Sequence, residues 1–198
     1  MKIAFVGLGE VGYCYAQAWT AAGHAVSGVC ELRRDSAMQE RAAQLNTVLH
    51  VEPGPWLQEA DVVIGAVFGS AACEVAQACV AFMRPGTVYA DFTTASAADM
   101  LAASVSARAA GVGFTDVAIM GAIALLAEAT PLMCVGEGAG RVLQLAADIG
   151  APAREINGQP GDAVRLKLLR SIMTKGMESL AVECLVAAEA MGLRGALY

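Results

Sequence analysis

The sequence predicts an α/β fold, in which a doubly wound parallel sheet is followed by one long helix. Short apolar runs alternate with alanine-rich stretches of helical length, an order typical of a parallel sheet covered by helices. A glycine-rich turn follows the first apolar run, and a final stretch, residues 163–191, contains no proline and one glycine. These three observations predict the architecture.

Each element follows from local composition. Apolar runs bounded by turn residues predict six strands: Lys2–Val6, Ala25–Cys30, Val62–Val67, Thr87–Asp91, Gly113–Val117 and Pro131–Val135. Alanine-rich stretches between them predict five helices: Val11–Ala22, Ser36–Gln44, Ser70–Phe82, Ala97–Ala109 and Gly138–Ile149.

The composition excludes several classes of protein. Of 198 residues 57% are apolar and 16% charged, which excludes a disordered chain. The net charge of −6 without a dense basic block predicts binding to neither nucleic acid nor an anionic membrane. The six cysteines form no CxxC pair and the N-terminal apolar run is too short for a signal peptide, so we expect free thiols and a cytoplasmic protein.

A cluster of turn residues, Asn157–Gly161, predicts a boundary between a first domain, residues 1–160, and a second, residues 161–198. Asp162 is a candidate N-cap for a helix over Ala163–Met191. At ~1.5 Å per residue this helix would span over ~40 Å, longer than a small domain is wide. Its apolar residues exceed what one domain can cover, so we expect a homodimer built through residues 163–198.

The first chemical motif is Gly7-Leu8-Gly9-Glu10-Val11-Gly12, a GxGxxG between a predicted strand and a predicted helix. In this context Gly7 permits a tight turn, Gly9 lets the backbone approach a pyrophosphate, and Gly12 lets the helix pack on the strand. The helix N-terminus offers free N–H groups to the anion. The motif predicts a dinucleotide site, and a glycine-rich turn without a ligand is the alternative.

The choice between the two nicotinamide cofactors depends on residues about 20 positions further on, at the end of the second strand. Glu31 could accept hydrogen bonds from a ribose 2′-OH, whereas Arg33 and Arg34 could pair with a 2′-phosphate. Two guanidinium groups so close to the strand end favour NADP over NAD, and solvated surface charges are the alternative. We also assign Val67, at the end of the third predicted strand, to the cofactor site.

Several segments resemble the β-hydroxyacid dehydrogenase superfamily, which includes 6-phosphogluconate and 3-hydroxyisobutyrate dehydrogenases. The similar segments are Gly7 to Val26, Asp61 to Ile64, Thr93-Thr94, and Asp116 to Gly136. They occur in the same order and spacing as in the family, and the resemblance extends from residue 1 to about residue 192. The resemblance implies a Rossmann domain, then a long inter-domain helix and the start of a helical domain that is incomplete in this chain. The most similar branch is the phosphogluconate dehydrogenase-like group, in which a second lysine, here Lys175, precedes a glycine.

The resemblance also assigns roles to particular residues. Thr93 and Thr94 match the loop near the nicotinamide, and Lys167 matches the catalytic lysine. Ser171 would take over substrate hydrogen bonding, because Arg170-Ser171 replaces the asparagine pair of the family. The substrate segment, in which a methionine replaces the family's serine, is Met120-Gly121-Ala122.

Helical geometry independently groups the polar residues of the last helix. At about 100° per residue, Lys167, Ser171, Lys175 and Glu178 fall on one side. This stripe is interpreted either as a solvated face or as a polar cleft with Lys167 as general acid/base, the group that an alcohol oxidation requires.

Two hypotheses follow from the sequence. The first is an NAD(P)-dependent oxidoreductase that transfers hydride between nicotinamide and a small hydroxy acid or a related carbonyl or imine compound. The second is a dinucleotide-binding protein without dehydrogenase turnover. No group of histidine, cysteine and acidic residues has metal-ligand spacing, so we expect no metal.

Overall fold

The computed structural model describes residues 1–197, which form one sheet, its covering helices and a long final helix. The strands are Lys2–Val6 (β1), Ala25–Cys30 (β2), Leu49–His50 (β3), Val62–Gly65 (β4), Val88–Asp91 (β5), Gly113–Ile119 (β6), Leu132–Val135 (β7) and Ala153–Glu155 (β8). The α-helices are Glu10–Ala21 (α1), Ser36–Gln44 (α2), Ala72–Val80 (α3), Ala97–Ala109 (α4), Ile123–Leu126 (α5), Ala139–Asp148 (α6) and Asp162–Ala190 (α7).

The predicted elements are all present, with ends displaced by a few residues. Helices α2 and α4 have the predicted bounds because a side chain caps each N-terminus: Asp35 accepts from the Met38 amide and Ser96 from the Asp99 amide. Strands β3 and β8 are two and three residues long and were not predicted. Neither is long enough to show the alternation of apolar and polar residues from which a strand is predicted.

The strand order is β3-β2-β1-β4-β5-β6-β7-β8, with crossovers on both sides of β1. This is the predicted doubly wound arrangement. The prediction of a wholly parallel sheet was wrong at one position, because β7 runs antiparallel to β6. The connection between them, residues 120–131, holds only the short helix α5 and a 3₁₀ turn, so the chain returns beside the strand it has just left, as a hairpin does.

The sheet is buried on both faces. One face packs against α1, α2 and α6, where the rings of Tyr15 and Trp19 stack 5.3 Å apart. The Trp19 indole N–H donates to the Leu145 carbonyl at 2.8 Å and links α1 to α6. The other face packs against α3 and α4 around Tyr89 and Phe114. Because both faces are covered, the edge formed by the strand ends is where a ligand can enter.

The chain divides into two compact units, Met1–Val164 and a second that begins at Arg165. Helix α7 begins at Asp162, one residue before the predicted start. The prediction that Asp162 precedes the helix as its N-cap was therefore wrong. Its carboxylate instead accepts a hydrogen bond from the Gln159 amide at 2.9 Å and closes the preceding turn.

Candidate functional site

The glycine turn after β1 has no room for side chains at its two outer glycines. Gly7 has a φ of +97°, and a Cβ built on it would lie 2.2 Å from the Ala66 carbonyl oxygen. A Cβ on Gly12 would lie 2.1 Å from the Gly7 carbonyl oxygen. The predicted roles of Gly7 in the turn and of Gly12 in close helix packing are therefore met in the structure.

Gly9 differs from its neighbours because the space beside it is open. A Cβ built on Gly9 meets no atom within 4 Å. Gly9 is also the N-cap residue of α1, and no side chain caps that helix end. The first turn therefore directs its backbone N–H groups outward, where an anion can accept from them. This arrangement fits a pyrophosphate group.

Glu31, just after β2, is turned toward the glycine turn. One carboxylate oxygen accepts from the Leu8 amide at 3.0 Å, and the other accepts from the Arg33 amide at 3.1 Å. Its side chain is 13% exposed. Both oxygens thus already have backbone donors, and a ribose hydroxyl would have to share them.

The two predicted arginines border this position differently. The Arg33 guanidinium is 59% exposed, lies 3.8 Å from Glu31 and donates to the Met38 sulfur. Arg34 is exposed. A third guanidinium, on Arg41 of α2, donates to the Leu8 carbonyl at 2.8 Å. Arg41 was not predicted, because no spacing rule relates α2 to the glycine turn.

The loops after β4 and β5 meet beside the glycine turn. A Cβ on Gly69 would lie 2.5 Å from the Thr94 carbonyl oxygen, so the two backbones are in direct contact. Val67 is half-buried and Thr94 is exposed. Phe68 is 87% exposed and was missed, since one aromatic residue in a loop gives no pattern. An exposed ring here can pack against a bound ligand.

Thr93 differs from Thr94 because its side chain points into the protein. It is buried, and both its amide and its hydroxyl donate to Asp91 Oδ1, at 2.9 and 2.5 Å. Asp91, at the end of β5, is fully buried. Burial raises the pKa of Asp91 to about 6, and the hydrogen bonds from Thr93 oppose that rise. Thr93 therefore shapes its loop while Thr94 faces outward.

The Met120-Gly121-Ala122 segment follows β6 at the same edge. The Met120 amide donates to the Pro131 carbonyl at 2.8 Å and closes the connection to β7. Gly121 and Ala122 are exposed, and Leu125 of α5 is 83% exposed. From residue 117 to residue 127 every side chain is apolar or absent. The polar groups of this segment are its backbone amides and carbonyls.

The start of α7 is attached to the sheet by a buried carboxylate. Asp116 of β6 is fully buried, and its Oδ2 accepts from the amides of Gly161 and Val164, at 2.9 and 3.3 Å. Burial raises the pKa of Asp116, while these backbone bonds lower it. Asp116 thus supplies the helix cap that Asp162 was expected to provide.

Comparison with known proteins agrees with this geometry. The sequence profile of the NAD-binding domain of 6-phosphogluconate dehydrogenase matches residues 2–149. The chain belongs to this family. The predicted superfamily and the Rossmann-type fold are thereby confirmed, and membership of this family supports binding of NAD or NADP.

Three relatives place the chain within the family. An uncharacterised 28.5 kDa protein of Methanothermus fervidus is 25% identical over 98% of this chain and 73% of its own length. A conserved protein of unknown function, with structural similarity to 3-hydroxyacid dehydrogenases, is 28% identical with a TM-score of 0.82. The match covers 100% of this chain and 73% of that protein. The 3-hydroxyisobutyrate dehydrogenase of Mycobacterium tuberculosis, solved with L-serine, is 25% identical with a TM-score of 0.81 over 97% and 66%.

The remaining predicted residues of this family member lie on α7, in the second unit. Lys167 and Ser171 are half-buried, and Lys175 is exposed. Since α7 is continuous from Asp162 to Ala190, these three side chains share one side of a regular helix, as the polar stripe predicts. The other predicted site residues, including the glycine turn, Glu31, Val67 and Thr94, lie in the first unit.

No group of three or more histidine, cysteine or acidic side chains in residues 1–197 is arranged to hold a metal ion. No helix within those residues is both long and apolar enough to cross a membrane.

Proposed function

We propose that the protein is an NAD(P)-dependent oxidoreductase of the β-hydroxyacid dehydrogenase type. Its reaction would be hydride transfer between nicotinamide and a small hydroxy acid or a related carbonyl or imine compound. The observation that carries the proposal is the open, uncapped start of α1 at Gly9, between two glycines whose side-chain positions are filled by backbone. The open space at Gly9 suits a bound dinucleotide, and no protein atom fills it.

The nicotinamide cofactor supplies or accepts the hydride when it is bound. The chain's own residues would do the rest. The α1 N-terminus binds the pyrophosphate, while Val67 and Thr94 border the cofactor. Lys167 returns or removes the proton on the substrate oxygen or nitrogen, and Ser171 and Lys175 hydrogen-bond the substrate. The backbone amides of Gly121 and Ala122 provide further donors, whereas the Met120 amide is engaged by the Pro131 carbonyl.

We propose NADP as the preferred cofactor. Both oxygens of Glu31 already accept from backbone amides, whereas the side chain of Arg33 is 59% exposed and Arg34 is exposed beside it, just after the strand end. Exposed guanidinium groups can pair bidentately with a 2′-phosphate. The free state of all six cysteines further supports a cytoplasmic protein.

The test of the reaction is a substrate panel with matched variants. Purified protein is supplied with NADP and then NAD against hydroxy acids, and with the reduced cofactors against carbonyl and imine compounds. Lys167→Met should reduce kcat by at least a hundredfold, the scale of a lost general acid/base. Glu183→Gln, on the opposite side of α7, is the control and should retain activity. Full activity in Lys167→Met would refute the assigned role.

The second candidate is a dinucleotide-binding protein without dehydrogenase turnover. The observation that favours it is the apolar segment from residue 117 to residue 127, in which Met120 replaces a hydroxyl-bearing serine. It predicts tight cofactor binding, no turnover across the panel, and the same behaviour in Lys167→Ala. Turnover of any compound on the panel would exclude it.

We also propose a homodimer through residues 163–198. The part of α7 in the second unit exposes large apolar side chains outside the polar stripe, and Ile172, Met173, Leu180 and Val186 are each more than 60% exposed. An exposed apolar face of this extent is normally covered by a partner. Sedimentation should therefore give twice the 20.3 kDa chain mass.

Cys184, which is exposed in the single chain, provides a second readout of the dimer. Its rate of labelling by a thiol reagent should fall as protein concentration rises, because the partner would cover α7. A monomer at micromolar concentration whose Cys184 labels at a constant rate would refute the dimer.

A further inference from the structure

Two fully buried aspartates lie side by side on the same face of the sheet. Asp91 of β5 and Asp116 of β6 are direct partners in the parallel register, and both have no exposed surface. Two residues earlier, the partners Tyr89 and Phe114 stack their rings 6.0 Å apart. Since side chains alternate along a strand, the two carboxyl groups are on the face that carries these rings.

Each carboxyl group uses one oxygen and leaves the other without a partner. Asp91 Oδ1 accepts from Thr93, and Asp116 Oδ2 accepts from the amides at the start of α7. Asp91 Oδ2 and Asp116 Oδ1 are buried and accept no hydrogen bond. Unpaired oxygens are costly in a buried site, and two like charges on neighbouring strands are costlier still.

We propose that Asp91 and Asp116 form an acid–carboxylate pair in which Asp91 carries a proton on Oδ2 and presents it to Oδ1 of Asp116. This assignment gives each buried oxygen a partner and leaves one negative charge in place of two. Asp116 retains the charge, because several backbone amides and the positive end of α7 favour its ionised form.

The other ionisable groups around the pair agree with this assignment. The charge of Asp91 acts on Tyr89 of β5 and on Cys73 and Cys79 of α3, raising the pKa of each. Burial raises the pKa of the phenol and of both thiols, so all three are neutral near pH 7. On the Asp116 side, burial raises the pKa of Cys134 to about 12.

Asp162, also on the Asp116 side, adds a negative charge that raises the pKa of Asp116. Burial raises the pKa of Asp91 to about 6, and Asp116 adds to that rise. Negative charge around the pair therefore favours its protonated form.

The pair links two parts of the first unit. Asp91 holds the loop of Thr93 and Thr94, and Asp116 holds residues 161–164 at the start of α7. Loss of the proton would break the bond between the two carboxyl groups and place a second charge beside the first, and the repulsion would push apart the two segments that the aspartates hold. The consequence for cofactor binding rests on the proposed function, whereas the pair itself does not.

Infrared spectroscopy tests the pair without any cofactor. At pH 5.5 exposed carboxyl groups are mostly ionised, so the carbonyl band of a protonated buried acid stands apart. The band should be present in the wild type, absent in Asp91→Asn, and retained in Glu40→Gln, which removes an exposed carboxylate of α2. Absence of the band from the wild type, or its persistence in Asp91→Asn, would overturn the proposal.

The pH dependence of unfolding is the second measurement. Because the folded pKa of Asp91 is raised, the folded state binds the extra proton between about pH 4 and pH 6, so stability falls as pH rises through that window. Two pKa units correspond to a rise of roughly a hundredfold in the unfolding constant. Asp91→Asn should lack this rise, and parallel profiles for the two proteins would refute the proton assignment.

Asp116→Asn keeps the test decisive if Asp91→Asn does not fold. Its side-chain oxygen can still accept from the α7 amides, while its NH₂ donates to Asp91 Oδ2 and lets Asp91 ionise. The infrared band at pH 5.5 should again disappear, and an unchanged band would overturn the pair.

In NADP titrations the affinity of the wild type should fall several-fold from pH 6 to pH 9. A flat profile would refute the link to the cofactor loop, whereas no NADP binding at any pH would refute the proposed function.

Discussion

Replacement of Gly9 by valine separates cofactor binding from folding more cleanly than any other change in the glycine turn. A Cβ at Gly9 meets no atom within 4 Å, and the backbone there is extended, with φ −66° and ψ −159°. Valine adopts this conformation readily. The folding cost should be about 1 kcal/mol, the difference between glycine and valine at an N-cap.

The loss of cofactor affinity should be larger than the loss of stability. A valine side chain would occupy the open space through which a phosphate group approaches the first-turn amides. If two charge-assisted hydrogen bonds are lost at about 1.5 kcal/mol each, binding weakens by about 3 kcal/mol, or roughly a hundredfold. Titration of reduced-cofactor fluorescence measures the dissociation constant, and urea unfolding measures the stability.

Gly140→Val is the matched control. Gly140 is exposed on α6, and a Cβ there also meets nothing within 4 Å. This variant should bind cofactor as the wild type does. A folded Gly9→Val protein with unchanged affinity would refute the placement of the pyrophosphate at α1.

Three further predictions concern specificity and stability. Arg33→Ala combined with Arg34→Ala should weaken NADP binding at least tenfold and NAD binding much less, and equal losses in calorimetry would show that neither reads the 2′ position. Gly7→Ala should lower the unfolding free energy by several kcal/mol in urea titration, because its Cβ overlaps the Ala66 carbonyl at a φ of +97°. Trp19→Phe should cost about 2 kcal/mol by leaving the buried Leu145 carbonyl unpaired; an unchanged midpoint would contradict that account.

The elements that the sequence predicts well are those with a local cause. Ser36–Gln44 and Ala97–Ala109 match their predicted ends because each begins directly after a capping residue whose hydrogen bond spans only three residues. The direction of β7 was mistaken because it depends on how residues 120–131 fold back, and a strand of given composition reads the same in either direction. The short strands β3 and β8 exist only through pairing with neighbours that are distant in sequence.

The site shows the same division between local and distant causes. The GxGxxG motif identifies the turn because its chemistry is contained in six consecutive residues. Arg41 contacts that turn from 33 residues away, and Asp116 caps a helix 45 residues later. Contacts of this kind depend on the folded topology and leave no spacing in the sequence. Phe68 is a single aromatic residue in a loop, so the sequence does not indicate whether its ring is buried or exposed.

The connection between β6 and β7 has an evolutionary consequence. Its ends are joined at Met120 and Pro131 by a backbone hydrogen bond that does not depend on the side chains between them. Closing a loop of changed length costs only about 0.6 kcal/mol per doubling. Exposed residues of this connection, among them Gly121, Ala122 and Ala124 to Ala127, can therefore be exchanged, by natural drift or by grafting, while the scaffold persists. Under the proposed function, which puts the substrate segment in this connection, we expect substrate range to diversify there while the cofactor turn is retained.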